Sequence, residues 1–426
     1  MQTTKPLLAA LLTLSLLTAC GQAAVPGQAG VRAGGVRAAA LSLASATAPQ
    51  LPVPAFAPAE ADVLYDHATF PAMEALVAKA TRSIRMDYYI FGGPTAERIA
   101  DTLIAKHRAG VDVRVLLDAA LGKIPEMQKQ AKPVLAKLRA AGVPVAFHAT
   151  KAIPPRTGGT TLDHNKYFVV DGAEALVGSM NLAQKFYDYH DLMIQVRGPV
   201  ARDLAAQHDF DWYQAQHPEA PAPQQLVTAA PADVAALPPT GPGQVRLVGT
   251  GLGRKTGGQA LLPLIQGATR SIHVQMHELG PGPVLDALLA ARDRGVEVQL
   301  LLDPGVLDPF VPVIHKAPRG VINAVATTIL LNAKLDVRHF KVDKVVTTAH
   351  MKSGVIDGEV LFAGSINWTR GGFEAVAETN LEIHGGRAPQ QAEAMFQRDW
   401  HTRAVPAERP SVLALQLGKL YQALNN

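Results

Sequence analysis

Two segments of the sequence repeat one set of reactive side chains at the same spacing. Each copy has the pattern His-x-Lys, four residues, Asp, and a few residues later Gly-Ser-x-Asn. The repeated positions are His164, Lys166, Asp171, Ser179 and Asn181 in the first copy and His350, Lys352, Asp357, Ser365 and Asn367 in the second. Two copies with the same tail indicate a function that needs both.

Imidazole and ammonium groups in this pattern suit phosphodiester chemistry. One neutral imidazole attacks phosphorus and forms a phosphohistidine. The other, protonated, gives a proton to the leaving oxygen and then activates the acceptor water or alcohol. We expect the two lysines, with Asn181 and Asn367, to hold the non-bridging oxygens as negative charge shifts during transfer.

The element that carries each motif must place its histidine beside its lysine. Residues two apart on a strand face the same side, so we expect His164 and Lys166 to share one cleft, as do His350 and Lys352. Each motif supplies only one imidazole. Two halves joined about a pseudo-two-fold axis would therefore be needed to complete one site.

The doubled pattern resembles the phospholipase D superfamily, whose members carry two His-x-Lys-x4-Asp motifs. The resemblance extends from about Asp62 to about Trp400. It implies an α/β fold of two homologous halves packed about a pseudo-two-fold axis with one shared active site, and a two-step course without metal. It further implies that His164 is the nucleophile and His350 the general acid.

The resemblance also places a carboxylate after each motif to fix the second ring nitrogen of a histidine. These carboxylates are Glu378 in the second half and Asp191 in the first. Asp171 and Asp357 belong to the catalytic motif, and we expect them to support the local framework.

Four further residues are candidates for binding substrate. Ser179 and Ser365 are expected to hydrogen-bond near the substrate. Tyr89 and His277 occupy matched strand ends and are expected to line the cleft, with packing at the core or rim as the alternative. We expect no metal or other cofactor, because the sequence has no His-Glu-x-x-His or Cys-x-x-Cys motif.

Strand and helix patterns recur in the two halves in the same order. The first half predicts helices at 70–80, 95–108 and 133–141, strands at 83–91, 111–117 and 143–147, and a loop at 153–161. In the second half, residues 268–272 repeat residues 80–84 identically, and 294–303 echo 109–118. A further apolar run at 321–331 predicts a helix.

The composition is that of a folded chain with a mild positive charge. Of the 426 residues, 48% are hydrophobic and 18% charged, and the net charge is +4. This charge favours anionic partners only weakly. The single cysteine, Cys20, excludes an intrachain disulfide.

The chain divides into six predicted segments. Residues 1–20 are predicted to be a lipoprotein signal, because Lys5 precedes an apolar run that ends in Leu17-Thr18-Ala19-Cys20. The segments that follow are a flexible tether at 21–59, a first half at 60–216, a linker at 217–243, a second half at 244–405 and a C-terminal helix or tail at 406–426. We expect Cys20 to be lipidated and to anchor an exported monomer to the bacterial cell envelope.

The function that these observations favour is hydrolysis of phospholipids by a phospholipase D, with transfer to alcohols as a side reaction. Three alternatives stay open. They are an endonuclease of the same superfamily, with nucleic acid as the partner, a phosphatidyl transferase of the cardiolipin synthase type, and a silent envelope protein that binds phosphate esters. The transferase ranks below the hydrolase because such enzymes commonly carry N-terminal transmembrane helices, which this sequence does not show.

Overall fold

The structure is a computed structural model and describes residue 51 and residues 55–119, 125–148, 162–218, 240–305 and 321–425. Several expectations fall outside these ranges and stay predictions. They are the signal at 1–20 with Cys20, most of the tether at 21–59, the loop at 153–161 and most of the linker at 217–243.

The first half is built on a mixed sheet. Its strands are β1 (Ala57–Tyr65), β2 (Ser83–Tyr88), β3 (Asp112–Asp118), β4 (Val145–His148), β5 (Leu162–Asp163), β6 (Lys166–Val170), β7 (Glu174–Gly178), β8 (Tyr189–His190) and β9 (Leu192–Arg197). The sheet order is β1-β9-β7-β6-β2-β3-β4, in which β2, β3 and β4 run parallel. The motif strand β6 is therefore central.

Helices cover both faces of this sheet. They are α1 (Thr69–Lys79), α2 (Gly93–Arg108), α3 (Pro125–Ala140) and α4 (Pro199–Gln216), with short 3-10 turns at Asp66–Ala68 and Gln184–Asp188. In α2, Pro94 stands at the N-terminus, and the buried face carries Ile99 and Leu103. The helix α3 starts earlier than the predicted position 133 and continues through Pro133, with Val134 and Leu138 buried behind it.

The second half repeats the same order. Its strands are β10 (Gly243–Gly251), β11 (Arg254–Lys255), β12 (Ser271–Met276), β13 (Glu297–Leu302), β14 (Asp336–Phe340), β15 (Thr348–Ala349), β16 (Lys352–Ile356), β17 (Val360–Gly364), β18 (Val376–His384) and β19 (Ala404–Pro406). The order β10-β18-β17-β16-β12-β13-β14 matches that of the first sheet strand for strand.

The helices of the second half follow the same order as those of the first, and one additional helix lies at the C-terminal end. They are α5 (Thr256–Gly267), α6 (Pro283–Asp293), α7 (Ala324–Asn332), α8 (Arg370–Glu374), α9 (Ala388–Thr402) and α10 (Val412–Asn425). The predicted helix at 321–331 corresponds to α7. Within the described part of the chain, none of the helices has the length and apolar character needed to cross a bilayer.

A common core joins the two halves. Each half has its own cluster of buried apolar side chains between sheet and outer helices. A third cluster lies between the sheets and combines residues such as Val169 and Ile194 of the first half with Val355 and Leu381 of the second. Strands β1 and β10 also pair with each other. The predicted fold of two α/β halves is confirmed.

Candidate active site

The motif histidines stand just before the two matching central strands. Lys166 begins β6 and Lys352 begins β16, and every residue of both strands is buried. The exposed fraction is 8% for His164 and 6% for His350, and the lysines are 1% and 0% exposed. The reactive groups are thus held at the start of fully buried strands and are largely shielded from water.

Each histidine is oriented by a carboxylate from the opposite half. His164 Nδ1 lies 3.0 Å from both carboxylate oxygens of Glu378. His350 Nδ1 lies 2.8 Å from Oδ2 of Asp191. With Nδ1–H donated to a carboxylate, Nε2 is the nitrogen left to react. Neither motif histidine is paired with a carboxylate of its own half among these contacts.

Short strands that pair across the two halves create this crosswise arrangement. In the first motif, β5 pairs in parallel with β18, and the amide of His164 donates to the carbonyl of Ala377 at 2.9 Å. In the second motif, β15 pairs in parallel with β8, and the amide of His350 donates to the carbonyl of His190 at 2.8 Å. Each motif backbone is therefore bonded to the residue preceding its partner carboxylate.

The two lysines are anchored in the same way in both halves. Lys166 Nζ donates to the carbonyl of His164 at 2.5 Å, and Lys352 Nζ donates to that of His350 at 2.7 Å. Burial lowers the pKa of Lys166 from 10.5 to about 7 and that of Lys352 to about 8, although Glu378 and Asp191 oppose this shift. The negative charge of a bound phosphodiester would favour the protonated form of both lysines.

Burial also lowers the pKa of both imidazoles well below the ordinary value, and the lysine charges act in the same direction. A neutral imidazole at physiological pH is the form that can attack phosphorus. A charge on His350 would lower the pKa of His164 in the same direction. Burial raises the pKa of Asp191 and Glu378, and the lysines counteract this effect.

The two serines support the carboxylates from behind. Ser179 donates from Oγ to Asp191, and it is completely buried. Ser365 bonds to the backbone of Thr379, and its hydroxyl lowers the pKa of Glu378. A direct contact of either serine with substrate stays a prediction.

The two asparagines keep unpaired polar atoms. Asn181 follows β7 and Asn367 follows β17 at equivalent points, and the Oδ1 atom of each is buried without a hydrogen-bond partner among the described residues. Buried amides normally have their polar atoms paired, so each Oδ1, which is an acceptor, could take a hydrogen bond from a hydroxyl of a ligand. Their predicted hold on the phosphoryl oxygens remains a prediction.

Tyr89 and His277 lie beside the two catalytic rings. The Tyr89 ring centroid is 5.1 Å from that of His164, and Lys166 Nζ lies 5.2 Å from the Tyr89 centroid. The His277 centroid is 4.7 Å from that of His350. Both side chains therefore border the site, and their contact with substrate stays a prediction.

Asp171 and Asp357 lie at the far ends of the motif strands, about 16 Å from the reactive groups for five residues of strand. Asp171 accepts hydrogen bonds from the amides of Thr81, Arg82 and Ser83. Asp357 does the same for Thr269, Arg270 and Ser271. The position of these two aspartates agrees with the expected framework role, and a catalytic effect of either aspartate stays a prediction. They are framework residues that fix the start of β2 and of β12.

Sequence reasoning missed two polar links behind the site. Asn165 Nδ2 donates to Asp87 and Asp163, and its Oδ1 accepts from Thr379 of the other half. His190 lies between Asp66 and Asp399, 2.9 and 2.7 Å away. The only signal was proximity in sequence, since Asn165 follows His164 and His190 precedes Asp191. Among the described residues, no group of three or more His, Cys, Asp or Glu side chains is arranged to hold a metal ion.

Each half thus carries one motif histidine and supplies the carboxylate that orients the histidine of the other half. This doubled fold with one shared site is that of a phospholipase D superfamily enzyme. Comparison with known families agrees. The chain belongs to the family described as cardiolipin synthase, PLD-like domain, whose model matches residues 73–212 and again residues 261–400.

Curated relatives resemble the chain over most of its length. A probable cardiolipin synthase of Bacillus subtilis is 25% identical over 342 residues, which cover 78% of this chain and 64% of the relative. Cardiolipin synthase A of Yersinia pseudotuberculosis is 28% identical over 316 residues, covering 70% of this chain and 60% of the relative. The chain thus spans less than two thirds of the length of these relatives.

Solved structures show the same fold at low sequence identity. Phosphatidylserine synthase of Haemophilus influenzae has a TM-score of 0.63 and 13% identity, with 87% of this chain and 94% of that chain covered. Polyphosphate kinase of Porphyromonas gingivalis has a TM-score of 0.52 and 14% identity, with 86% of this chain and 56% of that chain covered.

These comparisons correct the predicted reaction. Hydrolysis of phospholipids was the favoured function, with transfer to alcohols as a side reaction. This prediction is wrong, because the matched family and the relatives bear the names of synthases. The motifs could not make this distinction, since the first chemical step is the same whether water or an alcohol accepts the phosphatidyl group.

Proposed function

We propose that this protein is a phosphatidyl transferase of the cardiolipin synthase type, acting on phospholipids through a phosphohistidine. The observation that carries the proposal is the crosswise pair of imidazoles, each with Nδ1 bound to a carboxylate of the other half. Two rings with free Nε2 atoms, one to attack and one to move protons, are what a double displacement requires. The family membership supports the choice of transfer.

In the first step, Nε2 of the neutral histidine attacks the phosphorus of a donor phospholipid. A P–N bond forms, the P–O bond to the headgroup alcohol breaks, and the second histidine, whose protonated form the negative charge of the bound phosphodiester favours, gives its proton to the leaving oxygen. Lys166 and Lys352 stabilise the charge that builds on the non-bridging oxygens. We assign the attack to His164 and the proton transfer to His350.

In the second step, the reaction runs in reverse with a different alcohol. His350 takes the proton from the acceptor hydroxyl, the oxygen forms a P–O bond, and the P–N bond to His164 breaks. Cardiolipin has two phosphatidyl groups on one glycerol, so the acceptor would be the free hydroxyl of phosphatidylglycerol. The low exposure of the imidazoles favours such an acceptor, because it restricts competing water.

Purified full-length protein incubated with fluorescent phosphatidylglycerol in mixed micelles tests this proposal. The expected products are cardiolipin and glycerol. His164→Asn and His350→Asn should each lower turnover by about a thousandfold, and the double variant little further, because the residues act as a unit. Formation of phosphatidic acid alone, cleavage of DNA alone, or no turnover at all would each contradict the proposal.

We also propose that Cys20 is lipidated and holds the protein at the bacterial cell envelope. Only the sequence supports this, since residues 1–20 lie outside the described ranges. Cys20→Ala should release the protein into the soluble fraction or stop its processing. Normal processing of a variant that stays membrane-bound would rule out lipidation at this position.

A further inference from the structure

The exposed large apolar side chains of the described residues are confined to the second half. They are Val345 (73% exposed), Val405 (38%), Val412 (79%), Leu413 (47%) and Leu420 (40%). A random scatter of surface residues would place some of them in the first half. Four of them belong to just two elements, the helix α10 and the turn at 341–347 that precedes β15.

Helix α10 is docked firmly by one face only. Ala414 is buried against Val321 and Ile322. A Cβ atom at Gly418 would lie 2.8 Å from the carbonyl oxygen of Val321, so glycine permits the close contact. The opposite face of the helix exposes Val412, Leu413 and Leu420 to the surroundings. The helix contains no acidic residue, and Lys419 is exposed on it.

The turn at 341–347 also exposes an apolar side chain beside a lysine. Asp343 accepts from the amides of Val345 and Val346 at 2.8 Å, and Arg403 holds its other oxygen at 2.6 Å. This fixes Lys344 and Val345 at an exposed tip. An apolar tip beside a lysine is suited to the boundary between headgroups and acyl chains, where the methyl groups are buried and the ammonium meets phosphate.

Both elements lead to the second catalytic histidine. Tyr421 of α10 donates to Glu278 at 3.1 Å, and Glu278 adjoins His277, whose ring contacts His350. The turn reaches His350 directly along the chain, and Thr347 donates to the carbonyl of Asp188 at 2.8 Å. Both elements are therefore linked to the side of the site that carries His350.

We propose that α10 and the turn at 341–347 form a docking surface that places the side of the site carrying His350 on an anionic phospholipid bilayer. The choice of partner rests on the proposed function, which draws its substrates from a membrane. Lys344 and Lys419 complement anionic headgroups, whereas a self-contact would bring like charges together. The apolar side chains enter the headgroup boundary and deliver the phosphodiester to the site.

Vesicle co-sedimentation tests this surface without any turnover. The full chain carrying Cys20→Ser, which lacks the predicted acylation site, is mixed with phosphatidylcholine vesicles with and without phosphatidylglycerol. The apolar variant Val345→Ser/Val412→Ser/Leu420→Ser should bind about tenfold more weakly. The variant Val345→Ile/Val412→Ile/Leu420→Met keeps the apolar area and should bind as the parent does. Thermal unfolding checks that each variant is folded.

A matched charge pair tests the electrostatic part. Lys344→Gln/Lys419→Gln should weaken binding to the anionic vesicles, whereas Lys129→Gln/Lys132→Gln on the exposed face of α3 should not. Equal loss in both lysine variants, unchanged binding of the serine variant, or no binding by the parent chain would overturn the proposal. A dimer dissociated by the serine substitutions would assign the surface to a second copy instead. A chain that docks as expected but forms no cardiolipin would refute the transferase function alone.

Discussion

Glu378 and His164 are 214 positions apart in sequence, yet both carboxylate oxygens of Glu378 lie 3.0 Å from Nδ1 of His164. Asp191 and His350 form the reciprocal pair, at 2.8 Å. The two halves therefore do more than contribute one histidine each. Each half also fixes the tautomer of the histidine that belongs to the other.

This crosswise pairing predicts distinct effects for the two carboxylates. Glu378→Gln cannot accept Nδ1–H in the same way, so kcat should fall about a hundredfold or more. Labelled phosphatidyl donor should no longer mark His164 in that variant, whereas Asp191→Asn, which disturbs His350, should still allow the label to form. Glu393→Gln alters a His–Glu pair outside the site, at His273, and serves as the control. Labelling of His164 in Glu378→Gln would contradict the pairing.

The sequence predicted which carboxylates matter but not whose histidine each one serves. Glu378 and Asp191 follow their own motifs along the chain, and no local pattern records that β5 pairs with β18 or that β8 pairs with β15. His190 was not predicted either, because a lone buried histidine has no sequence signature. The framework was predictable because the repeat at 80–84 and 268–272 specifies the turn that Asp171 and Asp357 bind.

The acceptor was not predictable from the motifs. His164, Lys166, His350 and Lys352 perform the same first step in hydrolysis and in transfer. We expect the choice between water and an alcohol to depend on access to the site, which Tyr89 and His277 border and which the motifs do not encode.

The buried lysines should cost stability at acidic and neutral pH. The folded-state pKa of Lys166 is about 7, below its ordinary value of 10.5, so between these values the unfolded chain binds a proton that the folded chain does not. Stability contributed by this group therefore rises with pH across that window. Lys166→Met should increase the free energy of unfolding relative to the parent most at about pH 6, and the gain should shrink toward pH 10.

Urea unfolding at several pH values measures this difference, with Lys129→Met as the exposed control. The same variant should lose activity, because the charge over the non-bridging oxygens is gone. A Lys166→Met protein that is less stable than the parent at low pH would show that the carboxylates fully compensate the buried ammonium.

Asp171 should contribute to stability and not to chemistry. Backbone and side-chain hydrogen bonds from residues 81–83 lower its pKa from 3.8 to about 2. Its stabilising effect is therefore fully present above about pH 4 and is lost as the pH falls toward 2. Asp171→Asn should lower the melting temperature at neutral pH while leaving kcat per folded molecule close to the parent value. A large loss of kcat in fully folded protein would return Asp171 to the catalytic set.

We expect His190 to be protonated and to link the two halves through two ion pairs. Its Nδ1 faces Asp66 of the first half and its Nε2 faces Asp399 of the second, so both nitrogens must donate and the ring is an imidazolium. Hydrogen bonds donated to these two carboxylates raise the pKa of His190 to about 9 despite burial. Gln275 also donates to Asp399, and Phe340 and Tyr65 stack on the imidazole.

Because its folded-state pKa is raised, the stability that His190 contributes is complete below about pH 6.5 and is lost as the pH rises through 9. His190→Gln should therefore destabilise the protein more at pH 6 than at about pH 10. It should also lower kcat, because the carbonyl of His190 holds the amide of His350 and Asp66 holds the amide of Asp191. Urea unfolding across this pH range measures the first effect, and transfer assays on folded variant measure the second. Destabilisation that does not vary with pH would show that His190 serves only to fill space between its aromatic neighbours.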